Sequence, residues 1–275
     1  MFDDTKKGFI MKKIFLSLIF LMTCAYAQTG VISGKINHDD INYKNKIVDY
    51  KKGVAIDGAK ITIPDLNYTT YSASEGTFKL NIDINHKTVL FVEKDGYKTF
   101  SLTIDNSVLK SPLKLGIEES SPFDLQVTQG VIHLGDNLFS ENSANSAEFH
   151  DFANGSYMRR NFQNPNPSKD EDVIIKIGSL IGLDTKKAKE KGQNRIASVY
   201  ASPAEVYING RRIASLELNG DNIEVVVPKN ILKAQNELMI KTGVNLFQTK
   251  YTDYDDIELA NIRIELKQTH SFAKH

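Results

Sequence analysis

Asp253-Tyr-Asp-Asp-Ile-Glu-Leu-Ala-Asn-Ile-Arg-Ile-Glu-Leu266 decides the fold of this chain. Ile257 and Leu259 keep one phase of a two-residue period, and Ile262, Ile264 and Leu266 keep the other. Successive side chains of a strand point to opposite faces, so this alternation marks a strand with one buried face. A bulge at Ala260-Asn261 would produce the one-residue slip between the two phases. Four acids, Asp253, Asp255, Asp256 and Glu258, stand just ahead of the slip. A strand of this kind, after many earlier ones, predicts a sandwich whose last strand lies beside its first.

Working back from it, residues 123–268 predict one larger β domain. Residues 123–127 open it, and the Asn- and Ser-rich centre of 130–149 has loop composition. Residues 161–172, with Asn164-Pro-Asn-Pro167, predict a second loop. Residues 173–177 are apolar and β-branched, as a core strand requires. Asp184 as N-cap and Gly192 as terminator bracket a short helix over 184–191. Residues 196–201 read as a strand. Glu205-Val-Tyr-Ile-Asn-Gly-Arg-Arg-Ile-Ala214 is the clearest hairpin, because Asn-Gly suits the two positive-φ positions of a type I′ turn. That turn sets Ile208 opposite Arg211, Tyr207 opposite Arg212 and Val206 opposite Ile213. Ile223, Val225 and Val227 form an inward face ended by Pro228, a single helical turn follows at 229–233, and Leu238 and Ile240 mark the next strand.

Residues 28–115 read as a separate, smaller set of strands. Residues 31–36 are expected to open it, and the polar stretch 38–52 reads as a long loop or insertion. Ala59, Ile61 and Ile63 alternate after the Asp57-Gly58 turn, and Phe78, Leu80 and Ile82 after Ser74-Glu-Gly76. Residues 88–92 and the alternating Phe100, Leu102 and Ile104 add two more strands. Residues 116–122 are short and polar and read as a linker, and 269–275 read as a tail.

Residues 1–27 read as an export signal. Lys12-Lys13 precede an apolar core over 14–22, and Ala25-Tyr-Ala27 is a small-x-small cleavage site. Met11 is the better start, which makes 1–10 an upstream extension. Cys24, the only cysteine, falls in this segment. Cleavage after Ala27 would leave a mature chain with no thiol. Lipidation at Cys24 would anchor it, although Thr23 stands where a lipoprotein box has Gly, Ala or Ser. On either reading the chain is secreted or held in the periplasm or cell envelope, with no disulfide framework and no transmembrane segment in the mature chain.

Several pieces carry a resemblance. Gly34-Lys-Ile36, Ala55-Ile-Asp-Gly-Ala-Lys-Ile61, Ser72-Ala-Ser-Glu-Gly-Thr-Phe-Lys-Leu80 and Lys94-Asp-Gly-Tyr97 resemble the carboxypeptidase-regulatory-like domain, a small transthyretin-like β-sandwich. Across residues 130–266, His133-Leu-Gly-Asp-Asn-Leu-Phe-Ser-Glu-Asn-Ser-Ala-Asn-Ser146, Val206-Tyr-Ile-Asn-Gly-Arg-Arg-Ile-Ala214, Leu232-Lys-Ala-Gln-Asn-Glu-Leu238 and Asp255-Asp-Ile-Glu-Leu-Ala-Asn-Ile262 resemble, in their order, galactose-binding-like jelly rolls of the carbohydrate-binding-module type. Such pairings are similar to those of exported Bacteroidetes-type proteins. The resemblance implies an all-β chain of two sandwiches. The first supports or spaces. The second binds carbohydrate through its loops and often carries structural calcium where its first and last strands meet.

Calcium takes oxygen ligands from carboxylates, amides and carbonyls. Asp136, Asn137, Glu141, Asp255, Asp256 and Glu258 are its candidate ligands, provided those end strands pair. The competing reading is a solvated acidic turn paired with Lys250 or Arg263. Tyr157, Arg159, Arg160 and Phe162, in or near a polar loop, are the candidate sugar site. Tyr200 and Tyr207 are weaker candidates, and core or edge packing competes for all the aromatics. Trp, the largest stacking face, is absent. Lys plus Arg equals Asp plus Glu at 34 each, which argues against a nucleic-acid binder driven by phosphate neutralisation. The six histidines show no zinc-pair spacing, and no nucleophile elbow, P-loop or GxGxxG motif occurs. The sequence therefore predicts a non-catalytic exported protein that binds carbohydrate or a cell-surface glycan. The alternatives are an envelope assembly component that binds another protein and an accessory module of a glycan-degrading system.

Overall fold

The computed structural model describes residues 45–138, 149, 152–193 and 200–269. The leader, Cys24, Glu141 and the strand expected at 31–36 lie outside these residues. Within them the chain is mostly β, arranged as two sandwiches.

The first sandwich contains β1 (Asn45–Asp49), β2 (Lys60–Ile63), β3 (Tyr68–Tyr71), β4 (Thr77–Phe78), β5 (Thr88–Glu93), β6 (Phe100–Ile104) and β7 (Lys114–Ile117). Its sheets run β4-β1-β7 and β3-β2-β5-β6. Ile47, Ile61, Ile63, Leu90, Val92 and Leu115 fill the space between them. β1 corrects the loop expected over 38–52. Ile47 is wholly buried there and lies opposite Leu115 of the parallel neighbour β7. Gly76 takes φ +72, and a side chain there would strike the Ile47 carbonyl, so the close approach of this turn to β1 needs glycine. Gly116 and Ile117, inside the stretch read as a linker, are the last residues of β7, and Ile117 is buried in this core.

The second sandwich contains β8 (Leu125–Leu134), β9 (Tyr157–Gln163), β10 (Glu171–Ile181), the helix α1 (Lys186–Glu190), β11 (Ala204–Ile208), β12 (Arg211–Leu216), β13 (Gly220–Val227), β14 (Gln235–Lys241) and β15 (Ile257–Gln268). Its sheets run β13-β10-β15-β8 and β12-β11-β14-β9, with every pairing antiparallel. Two four-stranded sheets threaded in this order form a jelly roll. The last strand lies beside the first, Ile257 opposite Leu134, as the closing stretch predicts.

β15 changes phase where its alternation does. Asn261 takes φ 55, and Ala260 pairs with Val131 while Ile262 pairs with Thr128, so β8 carries an extra residue at that level. β10 stays in step with β15, pairing Ile177 with Ile262 and Leu180 with Leu259. Its inward set therefore also shifts, from Ile175 and Ile177 to Leu180. Core side chains continue on both sides of the slip, while Ala260 turns outward onto Val89 and Phe91 of β5.

Polar groups complete this junction between the sandwiches. Asn261 Nδ2 donates to the Thr99 carbonyl at 2.8 Å, and Arg263 donates to the same oxygen. Thr103 N and Oγ1 each donate to Asp221 Oδ1 at 2.9 Å, and Ser179 Oγ donates to it at 2.6 Å. Lys98 pairs with Glu265 at 3.2 Å. Burial pushes the Asp221 carboxyl above its ordinary range, against the pull of these three bonds.

Two local expectations need correction. Asn209 (φ 52) and Gly210 (φ 78) make the expected turn, and Tyr207 faces Arg212, but a bulge after Val206 sets it opposite Ala214 rather than Ile213. The cap of α1 is Thr185, whose Oγ1 accepts from Ala188 N at 3.0 Å, not Asp184. No helix among the described residues is long and apolar enough to cross a membrane.

Candidate functional site

The acids ahead of β15 are buried, not a solvated turn. Asp253 is 1 % exposed, and Asp255 and Asp256 are 0 % exposed. Backbone pairing fixes them. The Asp255 N–H donates to the Gly243 carbonyl, Thr242 Oγ1 donates to the Asp255 carbonyl, and Val244 bridges Tyr254. Neither residue of the competing ion-pair reading serves them. Arg263 is committed to Glu265, Asn261 and Thr99, and Lys250 is exposed.

Each carboxylate has a separate setting. Asp253 Oδ2 accepts from Asn245 Nδ2 at 2.6 Å, and its Oδ1 has no hydrogen-bond partner. Asp255 Oδ2 accepts from the Asp184 N–H at 3.1 Å, and its Oδ1 also has none. Asp256 Oδ1 lies 2.9 Å from His133 Nε2 and accepts from Asn137 N at 3.3 Å. Phe149 stacks on the His133 ring at 4.9 Å, and Gly182 leaves room for it, since a Cβ there would lie within 2.5 Å of Phe149. Burial, then the neighbouring Asp184 charge, holds the Asp255 carboxyl well above the ordinary carboxylate range. Burial also raises Asp253, with Asp136 and Asp256 adding to the effect and the Asn245 bond opposing it.

The pairing of the end strands brings Asp136 and Asn137 against the acids ahead of β15, Asn137 N donating to Asp256 Oδ1 at 3.3 Å. Asp136 accepts from the N–H groups of Tyr254 and Leu138, and Asn137 accepts from Ala153 N. Both brace loop backbone. Glu258 is on β15 opposite His133, and Glu141 lies outside the described residues. Asp255 reaches toward the end of β10 and Asp256 toward β8. No three His, Cys, Asp or Glu side chains among the described residues are already gathered at metal-ligand spacing. Asp253 Oδ1 and Asp255 Oδ1 are among the buried oxygens left open, and Asp184 lies beside Asp255. The helix-start signal at Asp184 does not reveal that this residue is buried.

The expected sugar residues share β9 but not a face. Phe162 is buried in the jelly-roll core with Met158, so it is not a surface ligand group. Tyr157 and Arg159 point outward, the guanidinium 5.2 Å from the ring centre, and Arg159 approaches Glu237 at 3.8 Å. Arg160 is exposed and donates to the Arg159 carbonyl. Tyr207 donates to Glu205 at 2.6 Å, which also pairs with Arg212.

A different surface stands above the acids. The hydrogen bonds between Asn245 and Asp253 close the loop Leu246-Phe-Gln-Thr-Lys-Tyr-Thr252. Leu246, Phe247 and Tyr251 are 55 %, 53 % and 49 % exposed. Phe247 meets Tyr200 edge-on, with ring centres 4.8 Å apart and planes at 88°. Lys189 of α1 lies 5.9 Å from the Tyr200 ring centre. Three large apolar side chains are exposed on this one short segment, whereas scattered single residues are the norm on a surface. The signal was legible as an apolar cluster with no strand or helix period to bury it.

A cleft of about 860 Å³ lies elsewhere, between β12, β13 and Leu102 of β6. Its acids are committed to partners: Asp221 to Thr103 and Ser179, Glu217 to Lys187, and Glu224 to Lys176 and Lys267.

No protein-family model matches the chain, and no curated protein matches it either.

Proposed function

We propose that this chain is an exported, non-catalytic binding protein whose jelly roll recognises carbohydrate, in solution or on a cell surface, through loops at its acidic end. The observation that carries the reading is the 246–252 loop, with three exposed apolar side chains on a base clasped by Asn245 and Asp253. Sugar sites pair ring faces with a few fixed polar groups, and a loop held at both ends presents them with little ordering cost. The paired-off acids of the large cleft favour binding over hydrolysis, which needs a carboxyl free to move protons. The first sandwich, read as carboxypeptidase-regulatory-like, supports the second through the junction at Thr99 and Thr103. Export rests on residues 1–27.

Calcium belongs to this proposal as a structural cofactor. Buried carboxylates that repel one another and keep unpartnered oxygens suit a hard cation. Asp253 and Asp255 would hold it, with Asp184 beside Asp255. The ion would neutralise charge beneath the loop and fix its base.

The test is a glycan array probed with residues 28–275, with calcium and with chelator. Binding to a defined glycan set, lost on changing Phe247 to Ala, is expected. Silence across the array in both conditions would reject the reading. A protein partner is the second reading, favoured by the outer edges of β12 and β13, which open on the large cleft. Capture of an envelope protein without any glycan signal would select it.

A further inference from the structure

We infer that the ligand is an acidic saccharide, its ring taken by the aromatic loop 246–252 and its carboxylates by lysines beside that loop. This deepens the glycan reading and rests on it. Phe247 meets Tyr200 edge-on and Lys189 lies over the Tyr200 ring, which links the loop to α1. Lys186 precedes Lys189 by three residues, and that spacing puts both on one face of the helix. Lys187 is turned away, onto Glu217 at 2.8 Å. Lys250 is exposed within the loop itself. Lys186 and Lys250 have no ion-pair partner among the described residues.

Lys186, Lys189 and Lys250 outnumber Glu190, the exposed acid of α1, so the rim is locally positive on a chain that is neutral as a whole. The acids beneath it are buried and cannot offer themselves to a ligand. Aromatic faces take the C–H side of a sugar ring, and ammonium groups take carboxylate or sulfate. Gln248, Thr249 and Thr252 stand among the apolar residues and supply partners for hydroxyls. That mixture favours a saccharide over a lipid surface, where the loop tip would be apolar throughout.

The test titrates galacturonate oligomers and neutral glucose oligomers of equal length into residues 28–275 in calcium-containing buffer, beside vesicles of phosphatidylglycerol in phosphatidylcholine. Uronate binding is expected to be at least about tenfold tighter than neutral binding and to weaken with salt. Phe247→Ala should weaken it roughly tenfold through lost stacking. Lys186→Glu with Lys250→Glu should weaken uronate binding by about tenfold, from two reversed surface charges, and narrow its margin over neutral binding. These side chains are exposed or partly exposed, and circular dichroism checks that each variant is folded. Equal affinity for both oligomers, or indifference to the lysine changes, overturns the inference and leaves the glycan reading standing. Binding of neither oligomer overturns the inference while the array decides the glycan reading, and vesicle binding alone assigns the loop to lipid.

Discussion

Gly178→Ala probes the junction between the sandwiches most directly. A Cβ at this position would lie 2.8 and 2.9 Å from Asn261 Nδ2 and Cβ, and closer still to Ser101 Oγ. Real Cβ contacts essentially never fall under 3.0 Å. Neither neighbour can swing into solvent, since Ser101 and Asn261 are each 1 % exposed. Asn261 is further tied to Thr99, and Ser101 Oγ lies 3.2 Å from Ser179 Oγ. One added methyl must therefore part β6 from β10 or distort the slip. Overpacking of this kind costs about 1–3 kcal/mol. At about 2–4 °C per kcal/mol for a chain of this size, melting should fall by roughly 2–12 °C. Urea unfolding of Gly178→Ala, Ser101→Ala and the double variant measures the coupling. Removing the Ser101 hydroxyl should recover part of the loss, with an interaction of about 0.5–3 kcal/mol. A Gly178→Ala protein within about 0.5 kcal/mol of the parent, or strictly additive changes, would refute this packing.

Asp221→Asn keeps the oxygen that accepts from Thr103 and Ser179 and removes the charge that burial penalises. The raised folded value means that Asp221 favours folding most below its ordinary 3.8 and loses that contribution as pH rises through the raised value. The variant should therefore be more stable than the parent at pH 7, with a gain that shrinks as pH is lowered towards 4, and urea midpoints across that range check the slope. Calcium at about one hundred times its dissociation constant should add about 2.7 kcal/mol to folding. Melting with calcium against chelator reads this directly, and Asp255→Asn should abolish the difference. An unchanged melting temperature in the parent would rule out the ion. Thr185→Ala removes the cap of α1 and the bond from Thr185 Oγ1 to the Glu217 carbonyl, so chemical unfolding should show a loss of about 1 kcal/mol.

The closing strand was legible because its alternation states both the buried face and the level at which that face changes. Asn209-Gly210 was legible because only that chemistry fits its turn. β1 was not, since a pair of apolar residues among lysines and asparagine has no measurable period, and pairing with β7 and β4 makes it a strand. Phe162 shows the reverse difficulty. Met158 and Phe162 keep a strand period that Arg160 interrupts, and proximity to a polar loop obscured their inward face. The acids ahead of β15 could be counted in the sequence but not buried in it. Burial there depends on Gly243, Thr242 and Asn245 meeting them across the fold, and composition does not encode that meeting.

The clasp between Asn245 and Asp253 separates what lies between those residues from what lies behind them. Since main-chain and side-chain bonds seal the base, the seven intervening residues can vary in identity without disturbing the sheets. On the proposed reading, selectivity would reside in this one short insert, apart from the strands that hold the fold.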